Sequence, residues 1–358
     1  MTAPNKVCIL GSGNWGTTAA RIIGANVQKL RNFDNEVKMW VYEEMVDGRK
    51  LTEIINTDHE NVKYLPGHKL PANVVAVPDA CEAVRGATHI VVVIPHQFIE
   101  HLLKTIHGSV KHGARAISLI KGIVIDKHGM TTMTQLIHRS LAIPVSSLSG
   151  ANIANEIAEE KYCETTIGCA EPDEAIVWRS LFNTPYFQVN CVSDVIGVEF
   201  CGAVKNVVAV GAGFIDGLGL GNNTKAAIIR IGTLEMRRLA MHISGAQIQD
   251  STFNESCGIA DVITTCYGGR NRRLAEEFVK TGKPMAQLEQ EMLNGQKLQG
   301  YLTAGEVYQY ISSRGVTDHF PLFTRIYKIC YKGEAPQTIF DGLNVDFSQD
   351  RRTPSPML

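Results

Sequence analysis

The chain lacks the short patterns by which a few residues usually declare a chemistry. Its 9 cysteines form no Cys-x-x-Cys pair, and its 11 histidines make no His-Glu-x-x-His. No histidine stands at zinc-ligand spacing from a cysteine, so no metal is expected. The odd cysteine count, and the lie of several cysteines in apolar runs, read as reduced core-packing thiols. Neither charge is in excess, with 35 Lys plus Arg against 36 Asp plus Glu. Nothing global therefore recruits nucleic acid or an anionic membrane, and an anionic substrate must be held by local cations. No apolar run is expected to approach the roughly 20 residues of a bilayer span. The first such run, Val7 to Leu10, has a strand's length rather than a signal peptide's. The end, Ser355-Pro356-Met357-Leu358, is not a Ser-Lys-Leu address. The expected compartment is the cytoplasm.

What is present is a chain of 358 residues, 44% hydrophobic and 20% charged, ordinary for a globular enzyme and long enough for two domains. The first half alternates short apolar runs with helical stretches. Strands are expected at Lys6 to Leu10, Val37 to Tyr42, Val74 to Val77, His89 to Pro95, Ala114 to Leu119 and Val145 to Leu148. The runs around Val91 and Ile117 are largely apolar rather than alternating, as in a parallel sheet covered on both faces. A further β section, Glu164 to Ala170 and Tyr186 to Val192, flanks the helix of Trp178. From about Ser193 helical periodicity takes over. The expected fold is an α/β, Rossmann-like, doubly wound and mainly parallel sheet over residues 1–192, followed by an all-α domain over 193–347 and a polar tail over 348–358.

Gly11-Ser12-Gly13-Asn14-Trp15-Gly16 follows the first strand and opens a helix. Alone, a Gly-x-Gly-x-x-Gly is weak evidence; in this strand–turn–helix context it reads as a dinucleotide site, whose backbone N–H groups meet pyrophosphate at a helix amino terminus. Glu43 and Glu44 close the second strand late for the usual ribose-binding acid. No arginine immediately replaces them, which favours NAD over NADP. Two further groups sit at carboxyl ends of strands, where open α/β sheets bind ligands: Pro95-His96-Gln97-Phe98, and Lys121 after Ile117 to Ile120. Phe98 reads as a cofactor contact or a helix-start core residue, and Lys121 as a substrate contact. Gly150-Ala151-Asn152-Ile153-Ala154 occupies the same edge one strand later.

Lys205 is the only cation in the mostly apolar stretch Val195 to Phe214. Its helical face is shared by Val198, Cys201, Val208, Ala209 and Ala212, and Glu199 points elsewhere. An ammonium buried without a partner costs several kcal/mol, so such a lysine has a distant partner, a snorkelling route to water, or a chemical task. Desolvation of a lysine lowers its pKa toward that of a neutral-pH proton donor. Asp261 is the candidate partner. The joint Gly268-Gly269 precedes Arg270 and Asn271 in the first turn of a helix, where cations oppose the macrodipole and so ask for an anion. Arg272 and Arg273 read equally well as a solvated basic patch. Asn294-Gly295-Gln296-Lys297-Leu298-Gln299-Gly300 is by itself only a polar loop.

Taken in order, these segments resemble the cytosolic NAD-dependent glycerol-3-phosphate dehydrogenases of animals. The resemblance is carried by Gly11 to Gly16, Pro95 to Phe98, Leu119 to Gly122, Gly150 to Ala154, Cys201 to Asn206, Thr264 to Arg272 and Asn294 to Gly300. It implies NAD as cofactor, a homodimer, and reversible hydride transfer between NADH and dihydroxyacetone phosphate, giving sn-glycerol 3-phosphate. It implies Lys205 as the catalytic residue, Lys121 on the substrate, and Arg270 and Asn271 on its phosphate; Lys121 and Asp261 are further catalytic candidates, and Asn206 and Thr265 candidate substrate contacts. It places Gly11, Ser12, Gly13, Asn14, Trp15, Gly16, Tyr42, Phe98, Lys121, Ala154, Arg270, Lys297 and Gln299 on or near the cofactor. Tyr42 stands where the family has phenylalanine, which keeps a stacking plane. Two alternatives stay open: another hydroxyacid dehydrogenase joining a Rossmann domain to helices, and a non-catalytic NAD-sensing protein.

Overall fold

The computed structural model describes residues 3–126, 129–244, 248–293 and 298–343. They divide into two compact units. The first runs to Lys121 and resumes from Thr132 to Glu199; the second takes Gly122–Thr131 and the described chain from Phe200 onward.

The first unit is built on one eight-stranded sheet. From one edge the order is Val74–Val77, Phe33–Trp40, Asn5–Leu10, His89–Val92, Arg115–Ser118, Val145–Ser149, Cys163–Gly168 and Phe187–Val192. All neighbours are parallel except Val145–Ser149 against Cys163–Gly168. The first strand pairs on both sides, with Ile9 opposite Met39 and Val91, so the order reverses at Asn5–Leu10. Crevices at such reversals, outside the carboxyl ends of strands, are where open α/β sheets take ligands. The four residues of His89–Val92 are all buried, as two-sided cover demands. Helix Asn14–Val27 lays Ala19, Ala20, Ile23 and Val27 on one side of the sheet, and Trp178, Phe182 and Phe187 fill the far end of the same core. Aromatic burial at this scale contributes roughly 1.5–3 kcal/mol per ring.

The second unit contains the helices Asn222–Ser244, Asp261–Gly268, Arg270–Thr281, Met285–Leu293, Gln299–Ser313 and Pro321–Lys332, with most of Val195–Gly217. The expected helical domain holds, with one addition: Gly122–Thr131, which carries Ile123–Asp126 and all but the last residue of its partner strand Gly129–Thr132, groups with these helices. Close packing sets Gly232 against Val208, where a Cβ would meet a methyl group at 2.6 Å. Helix Pro321–Lys332 has no side-chain cap of its own; buried Glu235 supplies one, accepting the Leu322 and Phe323 N–H groups at 2.8 and 2.9 Å. Another expectation changes. Helix Val195–Gly217 is long and apolar enough to cross a bilayer, yet 89% of its most apolar stretch is buried inside the protein. It is a core helix.

Candidate active site

In the first unit, the turn after Asn5–Leu10 is shaped by three glycines with different tasks. Gly11 has φ +123°, and a Cβ there would lie 2.4 Å from the Val93 carbonyl oxygen. A Cβ at Gly16 would lie 2.2 Å from the carbonyl oxygen of Gly11. These two positions exclude any other residue. Gly13, the residue capping helix Asn14–Val27, faces open space, makes no side-chain cap and is followed by no acid in the first turn. The helix thus presents its amino-terminal N–H groups and its dipole with nothing of its own to neutralise them, which fits a pyrophosphate.

The side chains in this turn brace it. Asn14 donates to the Tyr64 carbonyl and to Asn155 Oδ1, both at 2.7 Å, and Trp15 Nε1 donates to the Asn152 carbonyl at 3.1 Å. The Ser12 carbonyl accepts from Thr17 Oγ1 at 3.0 Å and from Asn61 Nδ2 at 2.8 Å. Asn61 is fully buried and carries no signal in the sequence that would single it out. Around the same edge, Tyr42 and Phe98 are exposed, with 71% and 58% of their surfaces free to contact a ligand. Ala154 is buried, and its carbonyl accepts from Thr18. Lys121 Nζ donates to the Gly150 carbonyl at 3.0 Å, reaching across to the end of the next strand. Glu43 accepts from Thr52 Oγ1 at 2.7 Å. Glu44 is engaged by Lys63 and by Tyr64 at 2.6 Å, and the bond from Lys63 holds its carboxyl below the usual carboxylate range. Both acids at the second strand's end therefore already serve local hydrogen bonds.

In the second unit, the amine of Lys205 donates to Asp261 Oδ1 and, at 2.6 Å, to Thr265 Oγ1. Asp261 and Thr265 are one turn apart on helix Asp261–Gly268 and so share a face. A π-helical turn, Ser256–Ala260, runs directly into Asp261; such turns recur at functional sites. Lys205 is 6% exposed and Asp261 2%, so the ammonium is held by a carboxylate in near absence of water. Glu199 takes no part: it is buried in the first unit, accepting from Thr134 N and Oγ1.

Next to Lys205, Asn206 Oδ1 accepts from Asn271 Nδ2 at 3.0 Å, and Asn271 Oδ1 accepts the Gly300 N–H at 2.7 Å. Both ends of the Asn271 side chain are thus engaged, and what it offers an anion is its backbone N–H in the first turn of Arg270–Thr281. The close fit leaves no room for a side chain at Gly300, whose Cβ would meet the Asn206 carbonyl at 2.4 Å. Arg270 opens that helix and is exposed, and no acid stands in its first turn. Arg272 is not a solvated residue: it bonds Asp216 Oδ2 at 3.0 Å and Glu276 at 2.6 Å. Gln299 donates to Thr303 Oγ1 at 3.1 Å, and Lys297 lies outside the described residues.

Comparison with known proteins bears on both units. The family model for the NAD-dependent glycerol-3-phosphate dehydrogenase N-terminus matches residues 6–175, and that for the C-terminus matches 194–341. The chain is 56% identical over 332 residues to the rat cytoplasmic glycerol-3-phosphate dehydrogenase [NAD(+)], covering 93% of this chain and 95% of that one. It is 55% identical over 341 residues to the human glycerol-3-phosphate dehydrogenase 1-like protein, covering 95% and 97%. Among solved structures, the glycerol-3-phosphate dehydrogenase of Saccharomyces cerevisiae superposes with a TM-score of 0.91 at 42% identity, covering 96% of this chain and all of that one. The Plasmodium falciparum enzyme gives 0.92 at 40% identity, covering 96% of each. With both family models matched in order, and relatives this similar along almost its whole length, the chain belongs to the NAD-dependent glycerol-3-phosphate dehydrogenase family.

Proposed function

We propose that this protein interconverts dihydroxyacetone phosphate and sn-glycerol 3-phosphate, with NAD as the redox partner. The observation that carries the reading is the Asn206–Asn271 hydrogen bond at 3.0 Å. It ties the residue beside the buried amine to the residue beside Arg270, so a proton donor and an anion cradle are fixed in one framework. A substrate with a carbonyl at one end and a phosphate at the other matches that pairing.

When bound, NAD(H) supplies or accepts the hydride. The chain's residues do the rest. Gly11, Gly13 and Gly16 shape the turn that would hold the cofactor's pyrophosphate, and the exposed Tyr42 and Phe98 would contact the cofactor. Negative charge builds on the substrate carbonyl oxygen as it is reduced, and Lys205 delivers a proton there. Asp261 and Thr265 hold the amine in place and give it a counter-charge. General acid catalysis of this kind typically supplies about 10²–10⁴-fold. Lys121 positions the substrate, and Asn206 contributes its amide, whose carbonyl end is already taken by Asn271. Arg270 and the first-turn N–H groups hold the phosphate; two charged hydrogen bonds at roughly 1.5–3 kcal/mol each would discriminate against an unphosphorylated analogue.

The cofactor role falls to the first unit and the proton and phosphate chemistry to the second. The compartment we assign is the cytoplasm, in line with the names of the rat, mouse and human relatives. The assembly we assign is a homodimer, as the family resemblance implies. A screen of small hydroxy and keto compounds, with and without phosphate, followed by NADH absorbance tests the substrate. Dihydroxyacetone phosphate should stand well above every unphosphorylated compound; preference for a hydroxyacid would overturn the reading.

A further inference from the structure

The helix that carries Lys205 and the helix that begins with Arg270 are locked in register within the second unit. A Cβ at Gly213 would stand 2.3 Å from the Arg272 carbonyl oxygen, and one at Gly217 would stand 2.8 Å from that of Glu276. Both pairs are one turn apart, so a turn of one helix lies backbone-to-backbone against a turn of the other. Gly213-Phe214-Ile215-Asp216-Gly217 also delivers a carboxylate to this crossing. Asp216 Oδ2 accepts from Lys225 Nζ at 2.7 Å and from Arg272 Nη1 at 3.0 Å. The Lys225 side chain is only 6% exposed, and its ammonium lies 4.3 Å from the ring centroid of Tyr267, just before the Gly268-Gly269 joint.

One carboxylate is therefore shared by two cations from two different helices, and one of them, Arg272, lies in the same first turn as Arg270. With that carboxylate neutralised, Lys225 would lose its ion-pair partner and Arg272 would keep only Glu276, so the balance of charge at the crossing would shift and move the turn. Arg272 itself is held by Asp216 and Glu276.

We propose that Asp216 is a positioning residue for phosphate recognition, acting through Arg272 and Lys225 on the seat of Arg270. The inference rests on the reading of the Arg270 turn as the phosphate cradle. It makes Asp216 matter for the phosphorylated substrate and not for the chemistry of the carbonyl.

The test measures kcat/KM for dihydroxyacetone phosphate and for unphosphorylated dihydroxyacetone in the wild type, Asp216→Asn, Asp216→Asn/Lys225→Gln and Arg270→Ala. Misplacement by about 1 Å can cost up to about 10²-fold, so Asp216→Asn should lower the phosphorylated value by about tenfold or more. It should leave the unphosphorylated value unchanged, and adding Lys225→Gln should restore much of the loss by removing the second cation. Should Asp216→Asn not fold, Arg272→Lys, which keeps the charge but loses the fork that bridges Asp216 and Glu276, is expected to show the same selective loss. Equal losses on both substrates, or none, overturn the inference when Arg270→Ala is itself selective for phosphate. If Arg270→Ala shows no such selectivity, the cradle reading has failed and the inference falls with it.

Discussion

Lys205 and Asp261, 56 residues apart in sequence, meet as a hydrogen-bonded ion pair in which neither side chain is more than 8% exposed. Breaking such a pair by removing one partner strands the other charge away from water, which costs about 3–5 kcal/mol. Asp261→Asn is therefore expected to lower the melting temperature and to cut kcat by about 10²-fold or more, since the donor loses its orientation along with its counter-charge. Circular dichroism melts and steady-state kinetics read both effects. A stable variant with wild-type kcat would remove Asp261 from the site.

The glycines of the nucleotide turn separate binding from folding. Gly13→Ala adds a methyl group pointing into open space, so its melting temperature should stay near the wild-type value while NADH affinity falls. Gly16→Ala drives a Cβ into the Gly11 carbonyl and should destabilise the fold as well. NADH fluorescence titrations beside thermal melts distinguish the two, and identical behaviour of both variants would contradict this division of labour.

Asn271 organises the cradle through its side chain. Asn271→Asp would set a carboxylate oxygen against Asn206 Oδ1 in place of a donor. Losing a buried hydrogen bond and leaving an acceptor unpaired costs about 1–3 kcal/mol. The expected readout is a kcat/KM for the phosphorylated substrate lower by at least tenfold, with NADH affinity retained; unaltered kinetics would show the Asn206–Asn271 bond to be incidental.

Stability should fall as pH rises through the neutral range. Burial pushes the Glu235 carboxyl up to about 8 and that of Glu199 up to about 7, in each case against hydrogen bonds that favour the charged form. A folded-state pKa above the unfolded value means that the native protein holds the extra proton. The corresponding stability is fully present below the unfolded value of about 4.5 and is lost as pH climbs through 7 and 8. Melting temperatures from pH 6 to 9 should decline, and Glu235→Gln should flatten the upper part of that decline. A profile that rises over this range, or one that Glu235→Gln leaves unaltered, would refute the assignment.

The alternation of apolar strands and helices made the sheet legible in the sequence, because buried parallel strands leave continuous Val and Ile runs such as the one at Val91. Lys205 stood out because a cation in an apolar helix has to be explained, and Asp261 could be named as its candidate partner because such a cation asks for an acid. What the sequence hid were contacts that depend on tertiary approach. Asn61, which fixes the Ser12 carbonyl, lies in an unremarkable polar stretch. Arg272 looks like a surface cation until helix Val195–Gly217 brings Asp216 to it. The grouping of Gly122–Thr131 with the helical unit has no local signature, since a linear parse cannot register a segment that leaves its neighbours. Glu43 and Glu44 were visible as strand-end acids, but Thr52, Lys63 and Tyr64 claim them.

The central claim is that the Lys205 amine delivers the proton. Purified wild-type protein and Lys205→Ala, each titrated with NADH by fluorescence and then mixed with dihydroxyacetone phosphate while absorbance is followed, test it directly. The account predicts comparable NADH binding in both and turnover only in the wild type. Turnover by Lys205→Ala at the wild-type rate would contradict it.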